Sequence, residues 1–146
     1  KLDELLRQHE AGKMEALQTI PGIGKRTIAA LLIITDGFRK VDNHRQLASY
    51  AGLSPKEFSS GKSIKGKVRI SKQGGVELRN LFFMCSMNAI KNNTACRLMY
   101  ERLKAKGKNG KLALVAVSNK LIKQCVAIAK TEQPYNENYF SQKACF

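Results

Sequence analysis

The residues whose types could do chemistry are concentrated between Ser54 and Gly75, a stretch that is cationic and rich in small residues. It carries a single acid, Glu57, and six cations, namely Lys56, Lys62, Lys65, Lys67, Arg69 and Lys72. Such cations neutralise phosphates, and the serines among them offer hydroxyl groups as nucleophiles. The stretch has too few apolar side chains to offset the entropy of its own ordering, so a scaffold or a polyanion must hold it.

The composition of the whole chain points to the same kind of partner. Its 146 residues include 26 Lys and Arg against 11 Asp and Glu, which gives a formal net charge of +15. A balance so far from neutral favours a nucleic acid. An acidic membrane surface is the main alternative, but the longest uninterrupted apolar run, Ile28 to Ile34, is much too short to span a bilayer. We therefore expect no membrane partner.

The spacing of cysteines and histidines does not predict a metal site. The four cysteines are far apart in the sequence and have no neighbouring histidine: Cys85, Cys96, Cys125 and Cys145. A zinc site is therefore not expected. Cys85 and Cys125 fall on apolar faces of predicted helices, which is typical of reduced core thiols in a cytosolic protein. His9 and His44 are interpreted as surface residues.

The periodicity of apolar residues predicts a mainly α, compact helical domain. Helices are expected over about 2–19, 25–35, 44–50, 76–92, 94–106 and 111–130, and the tail after Thr131 has no clear period. Within the basic stretch, the alternation from Ser63 to Ser71 predicts a basic loop or a short β-ribbon around residues 59–72. Gly66 is the candidate for its turn or for a bulge.

Two of the predicted helices meet at Pro21-Gly22-Ile23-Gly24, in a segment that resembles a helix-hairpin-helix motif. Gly22 and Gly24 allow positive φ and leave no Cβ between the backbone and a ligand. Gly24, Lys25 and Arg26 open a helix whose free N–H groups and dipole favour a phosphate. The residues alone leave two interpretations open, a phosphate contact and a purely structural tight turn.

Several ordered motifs resemble one family. They are Ile20-Pro-Gly-Ile-Gly24, Gln46-Leu-Ala-Ser-Tyr-Ala-Gly-Leu-Ser-Pro55, Ser60-Gly61, Gly66-x-x-x-Ile-Ser-Lys-x-Gly74 and Leu78-Arg79. In this order they resemble the C-terminal transposase domain of insertion-sequence transposases related to the Piv and MooV DNA invertases, which are bridge-RNA-guided recombinases. The resemblance covers the chain from about Leu17 to Val126.

The resemblance implies a recombinase with two cooperating parts. A RuvC-like domain with four acidic residues would bind a divalent metal, expected to be Mg²⁺, and the C-terminal domain would supply a serine that becomes joined to DNA. In the family this serine precedes a glycine after a Gly-Leu-x-Pro segment, which assigns Ser60, whereas Ser59 stands where the family commonly has Glu or Gln. The acidic domain is absent from this sequence, which begins with Lys1 rather than Met. We therefore expect a fragment that is inactive alone and holds no cofactor itself.

The predicted function is that of the DNA-binding, catalytic-serine domain of an insertion-sequence transposase or site-specific recombinase. Ser60 would attack a DNA phosphodiester and form a covalent phosphoserine intermediate. The predicted nucleic-acid-binding residues share a cationic or backbone-exposing character and are Gly22, Gly24, Lys25, Arg26, Lys62, Lys65, Lys67, Arg69 and Lys72. Two alternatives stay open, a non-catalytic helix-hairpin-helix module that binds nucleic acid and a basic RNA-binding structural protein.

The resemblance also implies the partners and the organisation of the chain. The partners would be DNA, a guide RNA in the full-length protein, and further copies of the chain in a dimer or tetramer on DNA. The location would be the bacterial cytoplasm, associated with the nucleoid. Residues 1–16 are interpreted as the end of a linker or coiled-coil helix, 17–130 as the transposase C-terminal domain, and 131–146 as an irregular tail.

Overall fold

The computed structural model describes residues 4, 8, 10–56, 59–60, 64–65, 69–71 and 74–138, with the backbone alone for 56, 59, 60, 64, 65 and 69. Within these ranges the chain forms six well-defined helices and two very short antiparallel ladders. The helices are α1 (Ala11–Gln18), α2 (Lys25–Ile34), α3 (His44–Tyr50), α4 (Val76–Asn92), α5 (Thr94–Ala105) and α6 (Gly110–Thr131). The mainly α prediction is therefore confirmed.

Helix α6 is the core helix of the domain. It packs against α1, α3, α4 and α5, and its side chains at Val117, Leu121 and Cys125 are fully buried. By length and composition alone α6 could cross a membrane, although 56% of its most apolar part is buried inside the fold. In the sequence, Lys120 and Lys123 interrupt the apolar residues of α6, so this helix does not show as a long uninterrupted apolar run. Burial of the apolar face against four helices is what a core helix of a globular domain requires.

Asn93 joins four segments of the chain at the junction of α4 and α5. Its buried Nδ2 donates hydrogen bonds to the Pro21 carbonyl oxygen at 3.3 Å and to Gln124 Oε1 at 3.1 Å. Its Oδ1 accepts from the Cys96 backbone N–H at 3.3 Å, which caps α5, and from the Tyr135 hydroxyl at 3.2 Å. This one amide therefore holds the α1–α2 connection, α6 and the C-terminal segment against the end of α4.

The segment after α6 lies on the body of the domain as an irregular strap. The Tyr135 backbone N–H donates to Thr19 Oγ1 at 2.7 Å, and the Thr94 hydroxyl donates to the Glu137 carboxylate. This strap is described as far as Asn138, whereas the rest of the predicted irregular tail, from Tyr139 on, lies outside the described residues.

Three cysteines are free and buried, which confirms the prediction of reduced core thiols at Cys85 and Cys125 and adds Cys96. Burial raises the pKa of the Cys96 thiol to about 11, with Lys120 opposing the shift. Burial also raises the pKa of Cys125, so neither thiol is a ready nucleophile. Cys145 and His9 lie outside the described residues.

We expect Asn93→Ala to lower the free energy of unfolding by about 2–4 kcal/mol, because it removes a helix cap and leaves buried partners unsatisfied. Urea denaturation followed by circular dichroism measures this change. Asn92→Ala is the matched control, since the exposed Asn92 bonds only within its own helix. Equal effects from the two variants would contradict the role given to Asn93.

Candidate functional site

The basic stretch folds back on itself as a short β-ribbon. Strand β1 (Pro55–Lys56) pairs antiparallel with β4 (Arg69–Ile70), and β2 (Ser59–Ser60) pairs antiparallel with β3 (Ile64–Lys65). Because β3 and β4 pair with other strands rather than with each other, the turn cannot be centred on Gly66, which itself lies outside the described residues. Ser60 is opposite Ile64, so residues 61–63 connect the inner ladder.

Backbone hydrogen bonds fix the base of this ribbon to the helices. The Ser71 N–H donates to the Ser54 carbonyl oxygen at 3.0 Å, and the Gly75 N–H donates to the Tyr50 carbonyl oxygen at 2.7 Å. Gly74 has a φ of +124°, and a Cβ there would lie 2.1 Å from the Tyr50 carbonyl oxygen. Only glycine fits this close approach, so the glycine pair directs the returning chain over the end of α3 and into α4.

The ribbon brings the predicted serine and two of the predicted cations into one backbone unit. Ser60 lies in β2, Lys65 in β3 and Arg69 in β4. Ser59 lies in the same strand as Ser60, so the choice between the two serines stays a prediction that rests on the family motif. The other predicted cations of the stretch lie outside the described residues: Lys62, Lys67 and Lys72.

Arg79, one turn into α4, has a buried guanidinium nitrogen that bonds to no described residue. Its Nη1 is shielded from solvent and makes no hydrogen bond within the described part of the chain. A buried charged donor left unpaired is costly, and an anion that bonded to it would recover that cost. Sequence analysis gave Arg79 as part of a motif without a role. The sequence signal that could have singled out this residue is an arginine directly after Leu78, in the first turn of a predicted helix. In the structure Leu78 is fully buried.

The two glycines of the α1–α2 connection meet different demands. Gly22 has a φ of +100°, and a Cβ there would lie 2.7 Å from the Ala89 Cα, so the fold itself requires glycine. Gly24 is the N-cap of α2 with a φ of −90°, and a Cβ there would meet nothing within 4 Å. The positive φ allowed by glycine is thus used at Gly22 and not at Gly24. Packing and backbone conformation explain why residue 22 is a glycine, whereas neither explains the glycine at residue 24.

The first turn of α2 is an exposed cationic helix end. Lys25 and Arg26 are exposed, no side chain caps the helix, and neither residue forms an ion pair with any described residue. The first helical bonds are donated by the N–H groups of Thr27 and Ile28 to the Gly24 carbonyl oxygen. The preceding N–H groups and the helix dipole therefore give this end the character of an anion site.

Helix α4 holds these two candidate sites apart. The ribbon returns to Gly75 at the N-cap of α4, and Gly22 packs on Ala89 near the other end. With a rise of about 1.5 Å per residue, the two positions are about 21 Å apart along the helix. The predicted residues Gly22, Gly24, Lys25 and Arg26 thus lie near one end of α4 and the base of the ribbon lies near the other, so no single phosphate reaches both.

The described residues do not fit a divalent metal. Among them, no group of three or more His, Cys, Asp and Glu side chains is placed to hold a metal ion. Carboxylate ligands for Mg²⁺ would have to come from outside the part of the chain that the structure describes.

His44, interpreted from sequence as a surface residue, is half-buried at the start of α3.

The fold and site define a class, a basic helical domain that presents a cationic ribbon and a cationic helix end at opposite ends of one helix. The sequence model of the transposase IS116/IS110/IS902 family matches residues 14–101. The chain belongs to this family, and the resemblance seen in the ordered motifs is confirmed.

Named relatives agree with this assignment. A pilin gene-inverting protein of Moraxella lacunata is 34% identical over 122 residues, which is 83% of this chain and 38% of that protein. The insertion element IS110 uncharacterized 43.6 kDa protein of Streptomyces coelicolor is 31% identical over 130 residues, 89% of this chain and 31% of that protein. The transposase for insertion sequence element IS1111A of Coxiella burnetii is 28% identical over 109 residues, 73% of this chain and 30% of that protein. The chain thus spans well under half the length of these relatives.

We expect Gly22→Ala to lower the free energy of unfolding by about 2 kcal/mol or more, because it combines a clash with Ala89 and a strained positive φ. Gly24→Ala should change it by less than about 1 kcal/mol, since the added methyl enters open space at an N-cap. Thermal and urea denaturation of the two variants measure the contrast. A Gly22→Ala variant as stable as Gly24→Ala would contradict the packing described above.

Proposed function

We propose that this chain is the DNA-binding, catalytic-serine domain of a transposase or site-specific recombinase. The observation that carries the proposal is the ribbon of β1–β4, which places the motif serine Ser60 within a cationic stretch at the N-terminal end of α4. Family membership supports it, since the relatives named above are insertion-element transposases and a gene-inverting protein. Inverting or moving a DNA segment requires strands to be cut and rejoined.

In the proposed reaction, Ser60 Oγ attacks the phosphorus of a DNA phosphodiester. A phosphoserine ester forms as the bond to the leaving deoxyribose oxygen breaks. When another deoxyribose hydroxyl attacks this ester, the serine is released and a strand is rejoined without a further energy source. The serine proton passes to a base and the leaving oxygen takes up a proton. A serine hydroxyl is a weak nucleophile at neutral pH, so it needs such a base or strong electrostatic help.

This chain supplies binding and positioning in the proposal. The predicted cations of the basic stretch, Lys62, Lys65, Lys67, Arg69 and Lys72, would neutralise the backbone of the strand near Ser60. The free Arg79 Nη1 donates to a phosphate oxygen at the same end of α4. Gly24, Lys25 and Arg26 contact a second phosphate toward the other end of α4, which fixes the direction of DNA along this helix.

In the proposal, a separate RuvC-like acidic domain supplies the proton acceptor and is the part expected to carry Mg²⁺. The isolated chain would then bind DNA without cleaving it. The guide RNA, the dimer or tetramer on DNA and the cytoplasmic, nucleoid-associated location belong to the same proposal.

A second candidate function is a non-catalytic helix-hairpin-helix module. The observation that favours it is the uncapped, exposed start of α2 after Gly24, which binds phosphate without any serine. It predicts DNA binding without a covalent adduct. A basic RNA-binding structural protein, the third alternative, would prefer RNA to DNA and likewise form no adduct.

In the full-length protein, we expect Ser60→Ala to abolish the covalent protein–DNA adduct and to change DNA affinity by less than about twofold, because one neutral hydroxyl adds little to the electrostatic contacts. Denaturing gels of end-labelled DNA detect the adduct. Ser59→Ala is the matched control and should keep it. An adduct that persists in Ser60→Ala, or is lost only in Ser59→Ala, refutes the assignment.

We expect the double variant Lys25→Gln, Arg26→Gln to weaken duplex binding and to make its salt dependence less steep, by about 0.9 in the log–log slope for each phosphate that the protein no longer neutralises. Fluorescence anisotropy across a salt series measures the slope. The control Lys104→Gln, Lys106→Gln removes the same charge from exposed positions at the end of α5. Equal slope changes in both variants would show diffuse attraction and no specific phosphate site at the start of α2.

A further inference from the structure

A cleft of about 620 Å³ lies between α5 and α6, away from the residues assigned above, and the start of α3 and the C-terminal strap complete its walls. Its volume is in the range of about 300–1,000 Å³ that is typical of sites for single small ligands. Three cations line it, Arg102, Lys120 and Lys123, together with the apolar residues Leu98, Met99 and Ala116. This combination suits a ligand that has a charged part and an apolar part.

The positive charge of the cleft is not balanced by its one acid. The Glu137 carboxylate lines the cleft and accepts a hydrogen bond from the Thr94 hydroxyl. Neither Arg102 nor Lys123 forms an ion pair with it or with any other described residue. Burial lowers the pKa of Lys120, and the charges of Lys123 and Arg102 lower it further while Cys96 opposes them. Mutual repulsion of cations beside a cleft is relieved when an anion enters.

The apolar side chains of the cleft suit the flat face of a nucleobase. Leu98 is 59% exposed although it lies on a helix that packs on the core, and Met99 is beside it in the cleft. An inorganic anion would contact the cations alone, whereas a nucleotide would contact the cations and the apolar side chains together. Covering the apolar face of a base removes it from water, and cations bind its phosphate.

Asn119 connects this cleft to the base of the ribbon. It lines the cleft, and its Nδ2 donates to the Leu53 carbonyl oxygen at 3.3 Å. Leu53 directly precedes Ser54, whose carbonyl oxygen accepts the hydrogen bond from Ser71 that closes the ribbon. A nucleotide in the cleft therefore lies beside the chain segment that leads to β1.

We propose that this cleft binds one unpaired nucleotide of a DNA strand, with its phosphate at Arg102 and Lys123 and its base against Leu98 and Met99. DNA is chosen because the named relatives are transposases and a DNA-rearranging gene-inverting protein. The inference extends the proposed function from the phosphate backbone to an unpaired base. It does not depend on cleavage by Ser60, so each proposal can fail alone.

The test uses full-length protein that carries Ser60→Ala, so that strand cleavage does not contribute. A single-stranded DNA oligonucleotide with one 2-aminopurine base is titrated, and its affinity and fluorescence are compared with those of the paired duplex. We expect Arg102→Gln, Lys123→Gln to weaken binding of the single strand about tenfold. Leu98→Ala should weaken it about fivefold and reverse the fluorescence change, with little effect on the duplex.

The matched control is again Lys104→Gln, Lys106→Gln, which should weaken single-strand binding less than about twofold. Thermal denaturation verifies that every variant is folded. Equal losses of affinity in the control and the cleft variant, or equal losses for single strand and duplex, would overturn the cleft assignment. A larger loss of affinity for an RNA oligonucleotide of the same sequence than for the DNA strand in the cleft variant would overturn the choice of DNA.

Discussion

The buried side-chain amide of Asn93 is the interaction that holds the start of α2 on the body of the domain. It uses its donors on Pro21 and Gln124 and its acceptor on the Cys96 N–H and the Tyr135 hydroxyl. In a low-dielectric interior such bonds are strong, and an unpaired partner is costly. The contact between Gly22 and Ala89 has the same effect by packing. Together they fix the start of α2 relative to α4, whose other end receives the ribbon.

The ion pairs of the described residues leave the candidate surfaces uncompensated. They are concentrated around Glu10 and Asp36, where Glu10 meets Lys13 at 2.9 Å and Arg39 at 2.7 Å, and Asp36 meets Arg39 at 3.1 Å. With a formal net charge of +15, the chain has too few acids to neutralise the remaining cations. Such a field would attract a polyanion from a distance, and in the proposed function the donors near each end of α4 would set where its phosphates bind.

Sequence reasoning succeeded where the cause of a structure is local. The predicted bounds of α3 and α4 agree with the observed helices, and Asn43 caps α3, its Oδ1 accepting the N–H groups of Arg45 at 2.9 Å and Gln46 at 3.1 Å. These features depend on nearby residues, through periodicity and capping. The Asn93 bonds, the Gly22–Ala89 contact and the strand register depend on residues far apart in the chain, and no local pattern encodes them. The serine, in contrast, was singled out by motif resemblance, since a Ser-Gly pair in isolation is an ordinary turn.

The measurement that tests the central claim most directly is tandem mass spectrometry of the adduct formed by the full-length protein on its own DNA ends. After nuclease and protease digestion, the account predicts a peptide with a nucleotide phosphoester on Ser60. A nucleotide mass on Ser59, on a tyrosine or on any other residue, or a reaction that rearranges DNA with no adducted peptide, would contradict it.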